Sequence, residues 1–485
     1  MSAAADSGSF VPNLQGLLDA AAGSSTIVRR LGDMATALPG FGTSMEATKG
    51  LLSSVDAVSL ILLAITLVAF LIPIFILFPP VPVDRSDVLN QTHSRVGVAP
   101  GGSNLRRQFS EEHRAREGRP PRVQGLYIYP VKSCRGIELE RSRVLPTGLE
   151  HDRLYTFAYL KPPRAGKEDS PFWEFVTLRQ LPLLANVKVD LWVPDPNKAS
   201  RQLGKVDGAF LVVRFPWMDG GLRGLVHLAS AKISHGFQAV PEKEFLLPVS
   251  FPDIEEIKAR GYSFADVKIW NEVTTALNMD KELPAELARY LGAKHQLGIF
   301  RMDPSQQREV FRCAQPKEAL GYQPVVDFHD AAIQYPLHML SLSSMQALDK
   351  NVVKDETMKQ LDARRFRSNI IIAGNEEYDE DNWKVIHLKH ATTGQECHFD
   401  VACRTVRCKL PNVDPDTGIR HKAEPDRALR KFRDVDEGAP KMGCMGMQMC
   451  PMFPGAAKPE QFQSFIEVGM DIDVVQRGHH VYICQ

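Results

Sequence analysis

The sequence predicts a mainly β fold with some helix (α+β), arranged as barrels rather than as a doubly wound sheet and preceded by one transmembrane helix. Three observations predict it. First, apolar and polar residues alternate strictly at two places, the mark of half-buried antiparallel strands. Val187, Val189, Leu191 and Val193 alternate with Lys188 and Asp190, and Ile466, Val468, Met470, Ile472 and Val474 alternate with outward Glu467, Asp471 and Asp473. Second, short β-like runs recur at 125–129, 155–159, 210–215, 369–373 and 481–484, while helical spacing is sparse. It is confined to Leu283, Leu287 and Leu291 after Asp280, and to a stretch that opens at Ser343. Third, residues 57–78 read AVSLILLAITLVAFLIPIFILF, 22 residues without a charge.

Taken in order, residues 1–56 form an N-terminal segment with an amphipathic stretch from Leu14 to Leu38 that carries Arg29 and Arg30. Five acidic residues in the segment argue against a targeting presequence. At about 1.5 Å rise per residue, residues 57–78 reach roughly 33 Å, enough for a hydrocarbon core of about 30 Å. A cleavable signal peptide fits poorly, because the run starts late and ends in Pro79-Pro80 rather than small residues. Pro73 lies within the span, where membrane helices tolerate it. Lys49 alone precedes the span within twenty residues, whereas Arg85 and Arg95 follow and further arginines accumulate through Arg122. Positive charge stays cytosolic, so the C-terminal part is expected on the cytosolic side. Residues 79–122, rich in Pro, Gly, Ser, Arg and Glu, read as a flexible tether, with order beginning near Val123.

Composition excludes several classes. Lys+Arg and Asp+Glu both number 58, so no net positive field argues for nucleic acid as a partner. Hydrophobic residues at 44% exclude a disordered polyelectrolyte. The eight cysteines, Cys134, Cys313, Cys397, Cys403, Cys408, Cys444, Cys450 and Cys484, include no CxxC pair. That is too sparse for a disulfide scaffold and points to a reducing compartment. No P-loop, GxSxG or HExxH is present, nor a flavin, haem or iron–sulfur motif.

Chemistry concentrates at turns and strand ends. Tyr129 to Gly136 (YPVKSCRG) carries a β run into proline, then Lys132 and Ser133, residue types that hold phosphate. Basic residues recur in Gly148 to Arg153, Val176 to Gln180 and Arg364 to Asn369. Arginine suits bidentate phosphate contact, although a Lys or Arg beside a turn is more often a solvated surface charge and each cluster alone is a weak signal. Cys408 lies between Arg407 and Lys409 at a strand end, before the turn Val413 to Gly418. Neighbouring positive charge favours a thiolate, the form that ligates a soft metal. Cys444 and Cys450 share a Met-rich run that reads as core filling or as a soft metal patch.

These motifs, YPVKSCRG, GL…DR, VTLRQLP, FRSNI and RC…VDPDTG, occur in this order. Together with Phe328-His329-Asp330 and the LSLSS run at 340–344, the chain resembles the MOSC-domain proteins with an N-terminal β-barrel domain, among them the amidoxime-reducing components. The resemblance covers most of residues 123–485. It implies a MOSC N-terminal β-barrel domain at 123–255 and a catalytic MOSC domain at 256–485. It also implies the molybdenum cofactor (Mo-molybdopterin), a pterin dithiolene whose metal takes one protein cysteine, here Cys408. Lys132, Ser133, Arg153, Thr177, Arg179, Arg367 and Asn369 would line that cofactor and grip its phosphate. Ser368 stands where the family usually has proline.

The activity implied is reduction of N-hydroxylated substrates such as amidoximes and hydroxylamines. Electrons would come from a b5-type cytochrome and its NADH-dependent reductase. The location implied is a single-pass anchor in the mitochondrial outer membrane or the endoplasmic reticulum. A second reading, from the related C-terminal domain of molybdenum cofactor sulfurases, is a carrier of the cofactor or of sulfur.

Overall fold

The structure, a computed structural model, describes residues 57–77, 85–99, 101–163, 170–198, 207–270, 272–329 and 335–483. The chain forms two compact units. Among the described residues, one comprises those within 57–94, 194–207 and 218–241, and the other those within 95–193, 208–217 and 242–483.

The larger unit carries the β architecture expected from the alternation. Ser263–Ile269, Glu272–Asn278, Gln296–Arg301, Tyr155–Lys161 and Phe172–Phe175 close into a barrel, sealed by a parallel pairing of Val267 with Trp173. Phe175, Val267, Ile269, Ala276 and Phe300 are among its buried residues. A second sheet runs in the order Ile370–Ala373, Leu337–Ser341, Cys444–Met452, Glu396–Val406, Trp383–Lys389, Asp471–Arg477, Arg122–Ile128 and Ile137–Leu139. An additional antiparallel pairing of Ile370–Ala373 with Arg122–Ile128 turns it back on itself, so no long edge is left between those two strands. Leu126, Ile128, Met339, Ile370, Phe399 and Met447 belong to its buried cluster. The helices Ala285–Leu291 and Leu342–Asp349 stand where the spacing placed them.

Four expectations differ from what is observed. The boundary expected at 255/256 is not where the barrels divide. Strands on both sides of it build the five-stranded barrel, and Arg122–Ile128 pairs with strands of the second sheet. Residues 79–122 are not a free tether where they are described. Leu105 is buried beside Tyr127, Leu342 and Phe366, Gln108 accepts from the Ala363 N–H through Oε1 (2.9 Å), and the His113 carbonyl accepts from Gly374 N–H (2.8 Å). A few buried side chains spread through a polar sequence leave no periodicity to read.

The third difference is that the alternation from Ile466 to Val474 is not one strand. Gly469 at φ +90° breaks it, so that Ser464–Glu467 pairs with Arg141–Leu145 and Asp471–Arg477 with Trp383–Lys389. Finally, residues 481–483 form no strand. Their N–H groups go instead to side chains, Tyr482 to Asp436 Oδ1 (2.8 Å) and Ile483 to Cys313 Sγ (3.4 Å). Cys484 and Asp330 lie outside the described residues.

The smaller unit contains the helices Ala57–Leu77, Arg85–Leu89 and Gly221–His235. Ala57–Leu77 is helical over 21 residues and contains no acidic or basic residue. Its side chains are described only for residues 58–71, and among the described residues no helix is long and apolar enough to cross a membrane. Phe78 and residues 1–56 lie outside the described residues.

Candidate functional site

The strand Arg122–Ile128 leaves the second sheet at Tyr129 and Pro130, and the chain then clips onto the start of the barrel strand Tyr155–Lys161. Lys132 N–H donates to the Tyr155 carbonyl (2.8 Å) and Tyr155 N–H to the Pro130 carbonyl (3.0 Å). Arg153 N–H donates to the Tyr129 carbonyl (3.0 Å), locking the two basic motifs side by side. Arg367 arrives from the short 3-10 turn Ala363–Phe366 and donates from Nη1 to the Cys134 carbonyl (2.8 Å). Cys408 follows the end of the strand Glu396–Val406. Beyond it, Arg420 donates from Nη2 to the Leu178 and Arg179 carbonyls (2.6 and 2.7 Å), which pins the VDPDTG loop to the VTLRQLP turn.

These segments converge. One cleft is lined by Lys132, Ser133, Arg153, Arg179, Phe366, Arg367, Val406, Arg407, Cys408, Leu410 and Pro411. Five of the eleven are cationic and none is a carboxylate, so the cleft is built for an anion beside a half-buried sulfur. Two buried guanidinium nitrogens at its walls, Arg179 Nε and Arg407 Nε, have no hydrogen-bond partner among the described residues, and an anionic ligand would supply one. Three lining residues, Ser133 (φ 71°), Arg153 (φ 53°) and Arg367 (φ 53°), hold left-handed backbone despite their side chains. Such conformations cost about 1–3 kcal/mol each and persist where the surroundings over-determine them, typically at working sites.

Tyr129 organises the cations. Its ring lies 4.1 Å from the Arg367 guanidinium and 5.4 Å from that of Arg153. Gly136 leaves room for that ring, since a Cβ there would sit 2.5 Å from Tyr129 Cε1. Gly136→Ala is therefore expected to displace the ring and loosen both arginines. The overpacking should cost about 1–3 kcal/mol in a denaturant titration, and retention of the bound anion should fall with it.

Beneath the cleft is a buried hub centred on Asp152. Its carboxylate accepts from Tyr129 N–H (2.7 Å), Asn369 Nδ2 (2.9 Å) and Arg153 Nη1, and His329 Nε2 lies 3.6 Å away. Burial acts to raise the Asp152 pKa, but Arg153, His329 and the backbone donor outweigh it and hold it at about 2. Burial, reinforced by Arg153, pushes His329 down to about 4, so it is neutral at pH 7. Burial likewise lowers His338, and it brings Arg407 down to about 10.

Six of the eight residues expected at the site, Cys408, Lys132, Ser133, Arg153, Arg179 and Arg367, thus share one cleft. Thr177 and Asn369 are buried behind it and act on its walls. Thr177 Oγ1 accepts from the Arg179 N–H (3.2 Å), and Asn369 Oδ1 accepts from Arg153 Nη1 (3.2 Å). Sequence reasoning did not single out Arg407, Asp152 or His329. All three stand in motifs it quoted, and a basic or acidic residue beside a chosen one was the available signal. Cys444 and Cys450 are buried and do not line the cleft, and among the described residues no group of three metal-type side chains stands together.

The cleft is narrow, about 50 Å³, below the roughly 300–1,000 Å³ usual for a cofactor. Arg367 also lines a cavity of about 840 Å³, with Tyr127, Tyr129, Arg135, Arg364 and Arg365 among others. We place the chemistry at the smaller one, because only it contains the sulfur.

Two interlocked β structures with a cationic, cysteine-bearing cleft define the class, and the comparisons agree: the chain belongs to the MOSC-domain proteins with a MOSC N-terminal beta barrel domain. The MOSC domain matches residues 325–473 and the N-terminal barrel residues 120–213. Among its relatives, mitochondrial amidoxime-reducing component 1 of Homo sapiens is 25% identical over 346 residues, 71% of this chain and 82% of the relative. Mitochondrial amidoxime reducing component 2 of Rattus norvegicus is 22% identical over 341 residues, 68% of this chain and 77% of the relative. Molybdenum cofactor sulfurase of Arabidopsis thaliana is 21% identical over 336 residues, 67% of this chain but 33% of the relative.

Proposed function

We propose that this chain is a membrane-anchored, molybdenum cofactor-dependent oxidoreductase that reduces N-hydroxylated compounds. One observation carries the reading: the half-buried sulfur of Cys408 shares a carboxylate-free cleft with five cations. The donor set fits the group in kind, since a thiolate suits the metal and the guanidinium and ammonium groups suit the phosphate. When bound, the cofactor supplies the two-electron redox chemistry.

The chain's own residues bind and orient. Cys408 would complete the sulfur ligands of the metal. Lys132, Ser133, Arg153, Arg179, Arg367 and Arg407 would hold the anionic end and neutralise its charge. Thr177 and Asn369 act through Arg179 and Arg153 as positioning residues. With no flavin, haem or iron–sulfur motif in the sequence, electrons would arrive from a b5-type cytochrome served by an NADH-dependent reductase.

Membrane attachment is supported by the helix Ala57–Leu77. Nine large apolar side chains between Val58 and Phe70 are exposed on it, an arrangement that needs an apolar medium on every side. A mitochondrial location is supported by the similarity to mitochondrial amidoxime-reducing components, and the outer membrane is our reading of where such an anchor would sit. Confining donor and acceptor to one membrane surface raises their effective concentration.

A second reading, cofactor carriage, is favoured by the similarity to the sulfurase. One experiment separates them: measure molybdenum in the purified full chain and turnover of an amidoxime with reduced b5-type cytochrome. Metal with turnover is expected, metal without turnover would indicate a carrier, and a metal-free chain would sink both.

A further inference from the structure

The cavity of about 840 Å³ has a chemistry of its own. One wall is the segment 95–108, which lies before residue 120, where the family match begins. Two hydrogen bonds fix that wall, from Val98 N–H to the Glu138 carbonyl (2.9 Å) and from Asn104 N–H to Glu138 Oε1 (2.8 Å). Val96, Val98, Leu105, Ile137 and Val189 give the cavity an apolar side. Eight cations line it against three carboxylates, and each of those carboxylates is already engaged. Asp190 pairs with Arg95 (3.3 Å) and Arg214, Asp362 pairs with Arg364 (2.7 Å), and Glu138 accepts from the Tyr127 hydroxyl (2.7 Å). Carboxylates outside the lining reach in to Lys188 (Glu242, 2.6 Å), Arg365 (Asp414, 2.7 Å) and Arg364 (Asp416, 2.7 Å), so those three cations are committed.

Three arginines keep capacity to spare. Among the described residues, Arg106 donates only from Nη1, to the Gly101 carbonyl (3.4 Å), and Arg214 only from Nη2, to Asp190. Arg135 donates only from Nη2, to Asn186 Oδ1 (3.5 Å) and to Asp416, whose carbonyl lies at 3.0 Å and whose carboxylate lies at 3.5 Å. The other terminal nitrogen of each is left for a ligand, and the buried Nε of Arg135 and of Arg214 has no hydrogen-bond partner among the described residues. All three line the cavity and none lines the cleft, with Arg367 alone bordering both.

We propose that this cavity binds a nucleoside diphosphate, an organic phosphate with a flat and largely apolar body, at a site separate from the cleft. Three features select that class. The volume falls within the roughly 300–1,000 Å³ of small-molecule sites, so an inorganic anion would leave most of it to water. Guanidinium groups with unused N–H edges match phosphate oxygens and favour an anion over a neutral ligand. The apolar side rewards a body that gains by leaving water. Arg106, Arg135 and Arg214 would take the phosphates, and the side formed by Val96, Val98 and Val189 the base. Cys408 takes no part, so the site stands independently of the cofactor reading.

Titration calorimetry of the purified full chain with ADP, adenosine and inorganic pyrophosphate tests this. ADP is expected to bind about ten-fold or more tightly than either fragment, and less tightly as salt rises. Arg106→Glu should weaken ADP by about ten-fold or more, with the fold kept, because Arg106 is exposed and makes one long hydrogen bond. Arg179→Gln, which alters the cleft alone, should leave ADP affinity unchanged. Cys408→Ala should bind ADP as the wild type does, whatever its molybdenum content. The proposal is overturned if ADP does not bind, or if pyrophosphate or adenosine binds as tightly as ADP. It is equally overturned if Arg179→Gln weakens ADP while Arg106→Glu does not, or if only molybdenum-free protein binds ADP, since either would give the ligand or the cavity to the cofactor site. A chain that binds ADP but holds no molybdenum would overturn the cofactor reading and leave this one standing.

Discussion

Cys408→Ala should strip the purified chain of molybdenum and bring N-reductive turnover to background while leaving the fold almost untouched. The reasoning runs through where this sulfur is. It stands half-buried beyond the end of Glu396–Val406, outside the ladder and outside every buried hydrophobic cluster. Its removal therefore opens no core cavity, and a change of that kind usually stays within about 0.5–1 kcal/mol. Loss of a residue that only orients a metal ligand already costs about 10–100-fold in affinity, and loss of the ligand itself should exceed that. Cys397→Ala is the matching control. That thiol is fully buried in the core of the second sheet, and burial pushes its pKa up. The control should lower the unfolding midpoint and keep the metal. Metal analysis with a denaturant titration distinguishes the two, and full turnover by Cys408→Ala would overturn the ligand assignment.

Much of this was legible in the residues because local rules govern it. Period-two alternation at Val187 to Val193 yields a strand wherever that segment docks, and Lys132, Ser133 or Arg367 beside a turn signals anion chemistry before any partner is known. What stayed hidden depends on chain-distant approach. Asn369 meets Arg153 across 216 positions, and Lys132 Nζ donates to the Phe328 carbonyl (2.8 Å) across 196. No pattern within a window could make Asn369 a support rather than a wall of the cleft. The same holds for the barrels. Tyr155–Lys161 pairs with Gln296–Arg301, so an inferred boundary between them divides a strand pair that backbone hydrogen bonding joins. Gly469 shows the converse limit, since alternation continues through it while the sheet does not.

The hub under the cleft supplies the other large effect. Asp152→Asn keeps size and shape but removes the only carboxylate whose hydrogen bonds with Arg153 are seen, and it offers a donor where one oxygen had accepted. Arg153 is 9% exposed, so its charge would remain buried without compensation. Breaking a buried pair in this way costs about 3–5 kcal/mol. The single amide oxygen left can serve either the Tyr129 N–H or the Arg153 and Asn369 donors, so either the anchor of the Tyr129 ring or the grip on Arg153 is lost.

The pH profile gives an independent check with a definite sign. His329 has a folded pKa of about 4, below its ordinary 6.5, so the unfolded chain binds that proton first. Its contribution is complete above pH 6.5 and is lost as pH falls toward 4. Asp152, held at about 2 against an ordinary 3.8, contributes fully above 3.8 and loses its share as pH falls through 2. The shares of stability that His329 and Asp152 contribute should therefore be lost in two acid steps. In Asp152→Asn the lower step disappears. The upper one lengthens, because Asp152 is what holds the His329 pKa up against burial and Arg153. Urea midpoints measured from pH 7 to pH 2 would show this. A variant with the wild-type midpoint and an unchanged acid profile would mean that the carboxylate does not organise the arginines above it.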